Sequence, residues 1–301
     1  MVELTLRPAN SSDLPWIGKL CASSTGNPAE GIGYPRCEDE HELLAELALY
    51  EHRLEDNILV ACTPAGDPVG FGGFLVSDTD EASFVIGPLI AAEWRTPAAT
   101  AEFLRLLVAQ PLGGRVLTNY IEEGNTILEQ ALRDTGWNPG KVQLEMRYDL
   151  AAAALPDRGP AQPVRPLTGQ DDPAFGPMAE LLARHHGWGN DPQARLADYL
   201  EDGYLVAVSE QDGRPVGCVL WIYVDGTNFA RLDYLSVDED FRGKGHGSTM
   251  VRHVLLDAQE HPGTEYLFLS VDPENDPAYE IYRRHGFVDN VRSRKYTYDR
   301  G

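Results

Sequence analysis

The sequence of this 301-residue chain repeats one pattern of apolar runs and turns at a spacing of about 150 residues. In each half, an apolar run is followed by a polar turn, then by Pro-Val-Gly and a second apolar run. The matching positions, at offsets of 147 to 150, are residues 68–70 with 215–217, Arg95 with Arg242, Asn125 with Asn275, and Gly136 with Gly286. An ordered series at nearly one offset indicates two copies of the same fold.

The segment AAAALPDRGPAQP, residues 151–163, is rich in Ala, Pro and Gly. It predicts a linker between a first domain, residues 1–150, and a second domain, residues 164–301. In the second copy we expect strands at 164–167, 204–210, 215–224, 230–238, 266–272 and 287–298, and helices at 171–186, 192–201, 247–260 and 276–285. This order predicts an α/β fold of two tandem domains, each a mixed central sheet flanked by helices.

The net charge of −22, from 47 acidic and 25 basic residues, narrows the choice of partners. A surface of that sign disfavours nucleic acid and anionic membranes. It favours a cationic substrate such as an amine, although an acidic surface is also typical of proteins in which it serves only solubility. A phosphate ligand would need a local basic cluster, which Arg242, Lys244, His246 and Arg252 supply. No apolar run approaches the roughly 20 residues of a membrane span, and the N-terminus lacks a signal segment, so we expect a cytoplasmic protein. The four cysteines lie far apart and predict no metal site.

The stretch SVDEDFRGKGHGSTMVRHVLL, residues 236–256, places an arginine and three alternate glycines between a strand-like run and a helix-like run. Bare backbone at a helix N-terminus exposes N–H donors that suit a phosphate, although a flexible turn that caps a helix has the same composition. Two familiar phosphate loops are excluded by spacing. No Ser or Thr follows Lys244 as a Walker loop requires, and neither Gly243 nor Gly245 begins a G-x-G-x-x-G fingerprint. The stretch is therefore either a turn or a site for another phosphate ligand.

The pattern R-G-x-G-x-G, helix, strand and then ENDPAYEIYRRHGF, residues 274–287, resembles the GNAT superfamily of acetyl-CoA-dependent N-acetyltransferases. The resemblance covers residues 164–298 and implies acetyl-CoA as the cosubstrate. It implies that the backbone of Leu235, Ser236 and Val237 runs beside the pantetheine and acetyl group, with Asn275 near the thioester. The implied pyrophosphate-binding residues are Arg242, Gly243, Lys244, Gly245, His246, Gly247 and Ser248.

The first copy departs from this pattern at the loop. At the same offset, the residues that replace 243, 244, 245 and 247 are Thr96, Pro97, Ala98 and Thr100. Added side chains and a missing N–H would crowd a phosphate. Tandem GNAT chains with one degenerate copy are known, and this layout is similar to that of mycothiol synthase. We therefore expect catalysis in the second copy, with the first copy as a scaffold or as part of the substrate cleft.

Tyr282 is the candidate general acid, because the family motif that this segment resembles carries its acid four residues before Gly286. A phenol titrates near 10 and can donate a proton to a leaving thiolate, whose thiol titrates near 8.5. The first copy has Leu132 at this place. The alternative role of Tyr282 is packing against the sheet, a role that leucine also satisfies.

Asp233 is the candidate base for the attacking amine. The family often carries a glutamate on this strand where this sequence has Arg231. Alternation places Asp233 on the same face as Arg231, and pairing between the two is the alternative. Glu201, Asp202 and an ordered water are further candidates for the base.

These features predict an acetyl-CoA-dependent N-acetyltransferase that acts on a primary amine of a small molecule by direct attack of the amine on the thioester. A non-catalytic acyl-CoA-binding or regulatory module is the alternative. Tyr282 favours the enzyme, because a module that only binds the coenzyme needs no acid. His185 and His186 either line the acceptor pocket, as the resemblance implies for their region, or interact with the end of a helix dipole.

Overall fold

The computed structural model describes residues 3–76, 82–151 and 162–301. The chain forms two compact units: unit 1 runs to Leu144 and also includes Val291–Gly301, and unit 2 is Glu145–Asn290. The C-terminal segment thus groups with unit 1, which differs from the division at residue 150 expected from the sequence. Of the predicted linker, residues 152–161 lie outside the described residues.

Unit 1 contains most of the first sequence copy. Its strands are β1 (Thr5–Pro8), β2 (Ile32–Tyr34), β3 (Ile58–Cys62), β4 (Pro68–Val76), β5 (Ala82–Ile90), β6 (Val116–Glu122) and the first part of β7 (Asn138–Asp149). Its helices are α1 (Leu14–Ser24), α2 (Glu40–Leu49), α3 (Leu54–Asn57), α4 (Pro97–Val108) and α5 (Thr126–Asp134).

Unit 2 contains most of the second copy. Its strands are β8 (Val164–Pro166), β9 (Leu205–Gln211), β10 (Arg214–Tyr223), β11 (Phe229–Val237) and β12 (Tyr266–Val271), and its helices are α6 (Phe175–His186), α7 (Pro192–Glu201), α8 (His246–Glu260) and α9 (Asp276–His285). The last strand, β13 (Val288–Asp299), begins in unit 2 and ends in unit 1. The predicted elements of the second copy are confirmed, with α6 beginning four residues later than expected.

Both units have the same sheet order. In unit 1 the order is β1-β3-β4-β5-β6, and in unit 2 it is β8-β9-β10-β11-β12. The last pair of each series, β5 with β6 and β11 with β12, is parallel, and the other neighbours in each series are antiparallel. Residues 293–299 of β13 extend the sheet of unit 1 by pairing antiparallel with β6. The prediction of two α/β copies with mixed sheets is confirmed.

The same ion pair fixes the start of each unit. Arg7 on β1 donates hydrogen bonds of 2.8 and 2.7 Å to Asp13, and Arg165 on β8 donates hydrogen bonds of 2.6 and 3.0 Å to Asp172. Each aspartate lies at or just before the first helix of its unit. The guanidinium groups hold the pKa of both carboxyls below the usual range. The segments LTLRPAN, residues 4–10, and QPVRPLT, residues 162–168, therefore share this contact as well as their Arg-Pro pair.

The cysteines serve as small core residues, because all four are free and buried. In the described part of the chain, no group of three or more His, Cys, Asp or Glu side chains is placed to hold a metal ion. Its helices likewise include none with the length and apolar character needed to cross a bilayer.

Candidate functional site

In unit 2 the parallel strands β11 and β12 stay paired only at their beginnings. Residues 229–232 pair with residues 266–269, and no pairing joins the residues that follow on the two strands. The other edge of β11 stays paired with β10 as far as Val237. One edge of β11, residues 233–237, therefore borders a gap, which we call the β11–β12 gap. The predicted contact residues 235–237 all lie on this part of the strand.

The glycine loop, residues 242–248, leads from the end of β11 into α8. Gly243 has a φ of 74° and Gly245 a φ of 93°, which is the left-handed region that favours glycine. Gly245 is the N-cap of α8 and offers no side chain to cap the helix. Among the described residues, no acceptor receives a hydrogen bond from any N–H of residues 243–248. The loop therefore presents a row of unpaired donors at the positive end of a helix dipole, which favours a phosphate.

The third glycine of the loop, Gly247, is explained by packing and not by its backbone conformation. A Cβ at Gly247 would lie 3.2 Å from Cδ1 of Ile281 on α9, whereas a Cβ at Gly243 or Gly245 would meet no atom within 4 Å. Gly247 therefore allows α8 to pack closely on α9. The alternate spacing of the glycines combines two backbone requirements with one packing requirement.

The two basic side chains of the loop contact the protein itself. Nε of Arg242 donates to the carbonyl of Val237 at 3.1 Å, and the guanidinium lies 3.3 Å from the carboxylate of Glu239. Nζ of Lys244 donates to the carbonyl of Asp240 at 2.9 Å. Arg242 thus links the loop to the end of β11, and the donors left for a ligand are mainly backbone N–H groups.

The other predicted side chains of the site also have partners within the protein. His246 is 1% exposed, its Nδ1 lies 2.8 Å from Oγ of Ser209, and burial lowers its pKa, so the ring adds no positive charge at neutral pH. Oγ of Ser248 lies 3.3 Å from Nε2 of His285. Asn275 accepts a hydrogen bond from the first turn of α9 and is its N-cap. His246 and Ser248 can thus contribute their N–H groups to the loop.

Tyr282 lies on α9 with 5% of its surface exposed, and its ring packs edge-on against Phe287 at 5.8 Å. Burial raises the pKa of the phenol, so the hydroxyl is neutral at physiological pH. In the described part of the chain, no group hydrogen-bonds to this hydroxyl. Leu132, at the matching place in unit 1, is 0% exposed. Both copies therefore pack a side chain here, and only unit 2 adds a hydroxyl.

A β-bulge interrupts β11 at Asp233. Leu220 on β10 faces Tyr234, and the next residue of β10 faces Leu232, so Asp233 is the extra residue. Arg231 Nε donates to Asp233 at 3.0 Å, and the hydroxyl of Tyr204 donates to the same carboxylate at 2.5 Å. Asp233 therefore pairs with Arg231, which is the alternative that the sequence left open, and the bulge interrupts the alternation from which a shared face was expected.

An aromatic cluster beside this bulge was missed by the sequence reasoning. The hydroxyls of Tyr199 and Tyr234 lie 2.8 Å apart, and the ring of Trp188 stacks on Tyr199 at 5.2 Å. His186, at the end of α6, places Nε2 at 2.9 Å from Oγ of Ser236 on β11. Only His186 had been singled out, because the other three rings come from α7, β11 and a loop and share no local pattern.

In unit 1 the corresponding helix start is closed. Thr96 caps α4 by accepting a hydrogen bond from the N–H of Ala99 at 3.2 Å, and the N–H of Thr100 donates to the carbonyl of Thr96 at 3.0 Å. Pro97 has no N–H. Among residues 96–100, Ala98 alone keeps an N–H without an acceptor in the described part of the chain. A phosphate at this helix would therefore find few donors.

The gap between β5 and β6 of unit 1 is filled by β2. Strand β5 pairs with residues 116–118 of β6, and β2 pairs with residues 120 and 121. The N–H of Glu123 donates toward β13, while the N–H of the preceding Glu122 lies 3.4 Å from the carbonyl of Gly31. Because successive N–H groups of a strand point to opposite edges, the segment that begins at Gly31 lies along the edge facing β5.

Glu30, just before β2, pairs with the arginine that corresponds to Arg242. Nη1 of Arg95 lies 2.5 Å from Oε1 of Glu30, and both side chains are about four-fifths buried, at 18% and 21% exposure. Nη2 of Arg95 also donates to the carbonyl of Ile90 at 2.9 Å. A carboxylate of the chain therefore already lies against the arginine of unit 1.

Residues 176–287 match the Acetyltransferase (GNAT) family. The match contains the glycine loop, the β11–β12 gap and Tyr282. Residues 176–287 therefore form a domain of the GNAT family of acetyltransferases. Members of this family generally bind acetyl-CoA, which agrees with the donors and the gap of unit 2.

Relatives of this chain match different shares of it. A mycothiol acetyltransferase of Clavibacter sepedonicus is 28% identical over 244 residues, which is 77% of each chain. An uncharacterised N-acetyltransferase of Methanocaldococcus jannaschii is 36% identical over 94 residues, and that match spans 30% of this chain and only 40% of the archaeal protein. The solved structure of a tandem GNAT protein from the clavulanic acid biosynthesis pathway is 16% identical, with a TM-score of 0.65 over 99% of both chains. The last similarity confirms the tandem GNAT fold.

Proposed function

We propose that the protein is an acetyl-CoA-dependent N-acetyltransferase whose unit 2 transfers an acetyl group to a primary amine of a small molecule. The observation that carries this proposal is the row of unpaired N–H groups at residues 243–248 beside the β11–β12 gap. A pyrophosphate suits the donors, and an extended pantetheine arm suits the edge of a strand that has lost its neighbour. Acetyl-CoA has both parts and supplies the acetyl group as an activated thioester.

The backbone of unit 2 makes the binding contacts in this proposal. Gly243, Gly245 and the first turn of α8 direct their N–H groups at the pyrophosphate. Residues 235–237 offer backbone groups along the pantetheine arm, as the resemblance of this strand to the family implies. Backbone donors that are already oriented bind an anion without losing side-chain entropy. The strongly acidic remainder of the chain leaves little other surface for an anion.

Tyr282 acts as the general acid. Loss of coenzyme A from the acyl group leaves a thiolate, and protonation of that sulfur stabilises the leaving group. A buried phenol without a competing hydrogen-bond acceptor keeps its proton until a basic partner forms beside it. The hydroxyl is present in the unit with the open loop and is absent at Leu132, which supports a chemical role rather than a packing role.

The amine must lose a proton before or during its attack, because alkyl ammonium groups titrate near 10. Asp233 lies on the strand that borders the gap, but its carboxylate already accepts hydrogen bonds from Arg231 and Tyr204. Both oxygens of this carboxylate thus accept hydrogen bonds from side chains of the protein, and neither is left open for an amine proton. We therefore propose that Asp233 positions Arg231 and Tyr204, and that a water molecule accepts the proton of the amine.

Incubation of the protein with acetyl-CoA and a panel of small amines, with detection of free thiol, tests the proposal. We expect thiol release that depends on the amine and is lost in Tyr282→Phe. Binding of coenzyme A without thiol release from any amine would favour the non-catalytic acyl-CoA-binding module. Absence of both binding and release would refute the coenzyme site.

A further inference from the structure

The segment that enters the second copy, Gln162 and Pro163, is hydrogen-bonded to the glycine loop. Nε2 of Gln162 donates to the carbonyl of Lys244 at 3.0 Å, and the N–H of Gln162 donates to Oγ1 of Thr249 at 3.4 Å. The hydroxyl of Thr249 donates in turn to the carbonyl of Gly245 at 3.1 Å. Two consecutive carbonyls of the loop are therefore held from the side of Gln162.

A hydrogen bond to a carbonyl also restricts the orientation of the N–H in the same peptide group. A trans peptide is planar, and its C=O and N–H point in opposite directions. The carbonyl of Lys244 shares a peptide with the N–H of Gly245, and the carbonyl of Gly245 shares one with the N–H of His246. The N–H of Gly245 therefore points away from Gln162, and the N–H of His246 points away from Thr249; both belong to the row of unpaired donors. Glycine needs such a restraint, because its backbone has the widest conformational freedom.

A second contact fixes the same place. The ring of His246, the first residue of α8, contacts Oγ of Ser209 on β9, and Oγ of Ser209 lies 3.3 Å from the carbonyl of Pro163. The N–H of Glu210 donates to that carbonyl at 3.1 Å. One hydrogen-bond network thus joins the glycine loop to residues 162 and 163, to β9 and to the start of α8.

Unit 1 lacks this network although it has the same sheet order. The residues of unit 1 at the places of Gln162, Ser209, His246 and Thr249 are Leu4, Ala61, Ala99 and Glu102. Three of these four have side chains that can neither donate nor accept a hydrogen bond. The fold therefore forms without the network. The network is present in unit 2, which is the unit with the open helix start.

We propose that Gln162 is a positioning residue for coenzyme A, because it orients the N–H of Gly245 through the peptide that follows Lys244, and the N–H of His246 through Thr249 and the peptide that follows Gly245. The inference rests on the proposed coenzyme A site of unit 2. Gln162 acts through the loop backbone and is not assigned a contact with the reacting atoms. Its expected effect is on the affinity for the coenzyme and not on the rate of acetyl transfer.

Gln162→Met tests the proposal, since it keeps the length of the side chain and removes the donor. We expect the Kd for coenzyme A, measured by isothermal titration calorimetry, to rise about tenfold, as for the loss of one well-placed hydrogen bond. We expect kcat at saturating acetyl-CoA and the melting temperature to stay unchanged. The ¹H–¹⁵N signals of the Gly245 and His246 amides should differ between the variant and the wild type. The matched control is Gln259→Met, at an exposed position of α8, which should change none of these.

A Kd of Gln162→Met within twofold of the wild-type value overturns the proposal. A higher Kd with a lower melting temperature and unchanged amide signals also overturns it, since the residue would then support the fold and not the orientation of the loop. If the wild-type protein itself binds no coenzyme A, the proposed function fails first and this inference fails with it.

Discussion

The two units share one fold but differ in what lies between their parallel strands. In unit 1 the gap beside β5 is taken by β2, and the α4 start is capped by Thr96. In unit 2 the corresponding gap has no paired strand among the described residues, and the glycine loop leaves its N–H groups unpaired. The chain itself thus occupies in unit 1 the positions that unit 2 leaves open, so we expect unit 1 to bind no coenzyme.

The corresponding arginines show which part of the site belongs to the fold itself. Arg95 donates to the carbonyl of Ile90, and Arg242 donates to the carbonyl of Val237, at positions that differ by the repeat offset of 147. The shared contact holds the turn at the end of the strand in both units. The units differ instead in the backbone donors that follow the arginine, so those donors should decide which unit binds.

Gly245→Val should have the largest effect. A β-branched residue is strained at a φ of 93° and would project where the backbone donors meet a phosphate. We expect the Kd for coenzyme A to rise by about 100-fold or more in calorimetric titration. Ala98→Val, at the matching and exposed position of unit 1, is the control and should change the Kd less than twofold. Equal losses in the two variants would contradict the difference between the units.

Tyr282→Phe should lower kcat by about 100-fold, which corresponds to about 3 kcal/mol of barrier, with little change in the Kd for acetyl-CoA. Because burial raises the pKa of this phenol, the wild-type rate should not fall through ionisation of Tyr282 as the pH rises toward 10. Tyr279→Phe on the same helix is the control, since Tyr279 bonds to Asp289 instead. Full turnover of the Tyr282 variant, with chemistry rate-limiting, would leave this residue with the packing role of Leu132.

Asp233→Asn should have a smaller effect, a loss of about tenfold in kcat that is the same at every pH. The variant removes the charge that holds Arg231 and Tyr204 but leaves an amide oxygen as an acceptor. The measurement is a pH–rate profile of the variant beside the wild type. Recovery of the variant at high pH, where free amine is abundant, would instead identify Asp233 as the proton acceptor.

Glu30→Gln should have the smallest effect. Loss of the partly buried ion pair with Arg95 should lower the free energy of unfolding by about 1 kcal/mol in a denaturant titration. The stoichiometry of coenzyme A should stay at one per chain, because β2 and the cap of Thr96 still close unit 1. A second bound coenzyme in the variant would show that Glu30 alone excludes it.

The sequence predicted the features that depend on local pattern. The glycine loop, the helix after it and Tyr282 before Gly286 each follow from a short stretch, and the repeat offset located their counterparts in unit 1. The mixed sheet flanked by helices followed from the alternation of elements. These features need no knowledge of distant contacts.

The features that the sequence did not predict depend on distant partners or on single-residue irregularities. Gln162 hydrogen-bonds to Lys244, which lies 82 residues later in the sequence. Strand β2 pairs with β6, which is more than 80 residues away in the sequence. The bulge at Asp233 inserts one residue into β11, and strict alternation does not reveal it. The sequence predicts His246 as a basic residue of a phosphate-binding loop, but its ring is buried and contacts Ser209.

Pairing of residues 293–299 with β6 has a consequence for biosynthesis. These residues leave the ribosome more than 170 residues after β6, although domains generally fold from the N-terminus as they are made. A nascent chain that contains only the first repeat therefore presents one edge of β6 without this partner. Unpaired strand edges promote association with other chains, so the nascent first repeat should be most prone to aggregation during this interval.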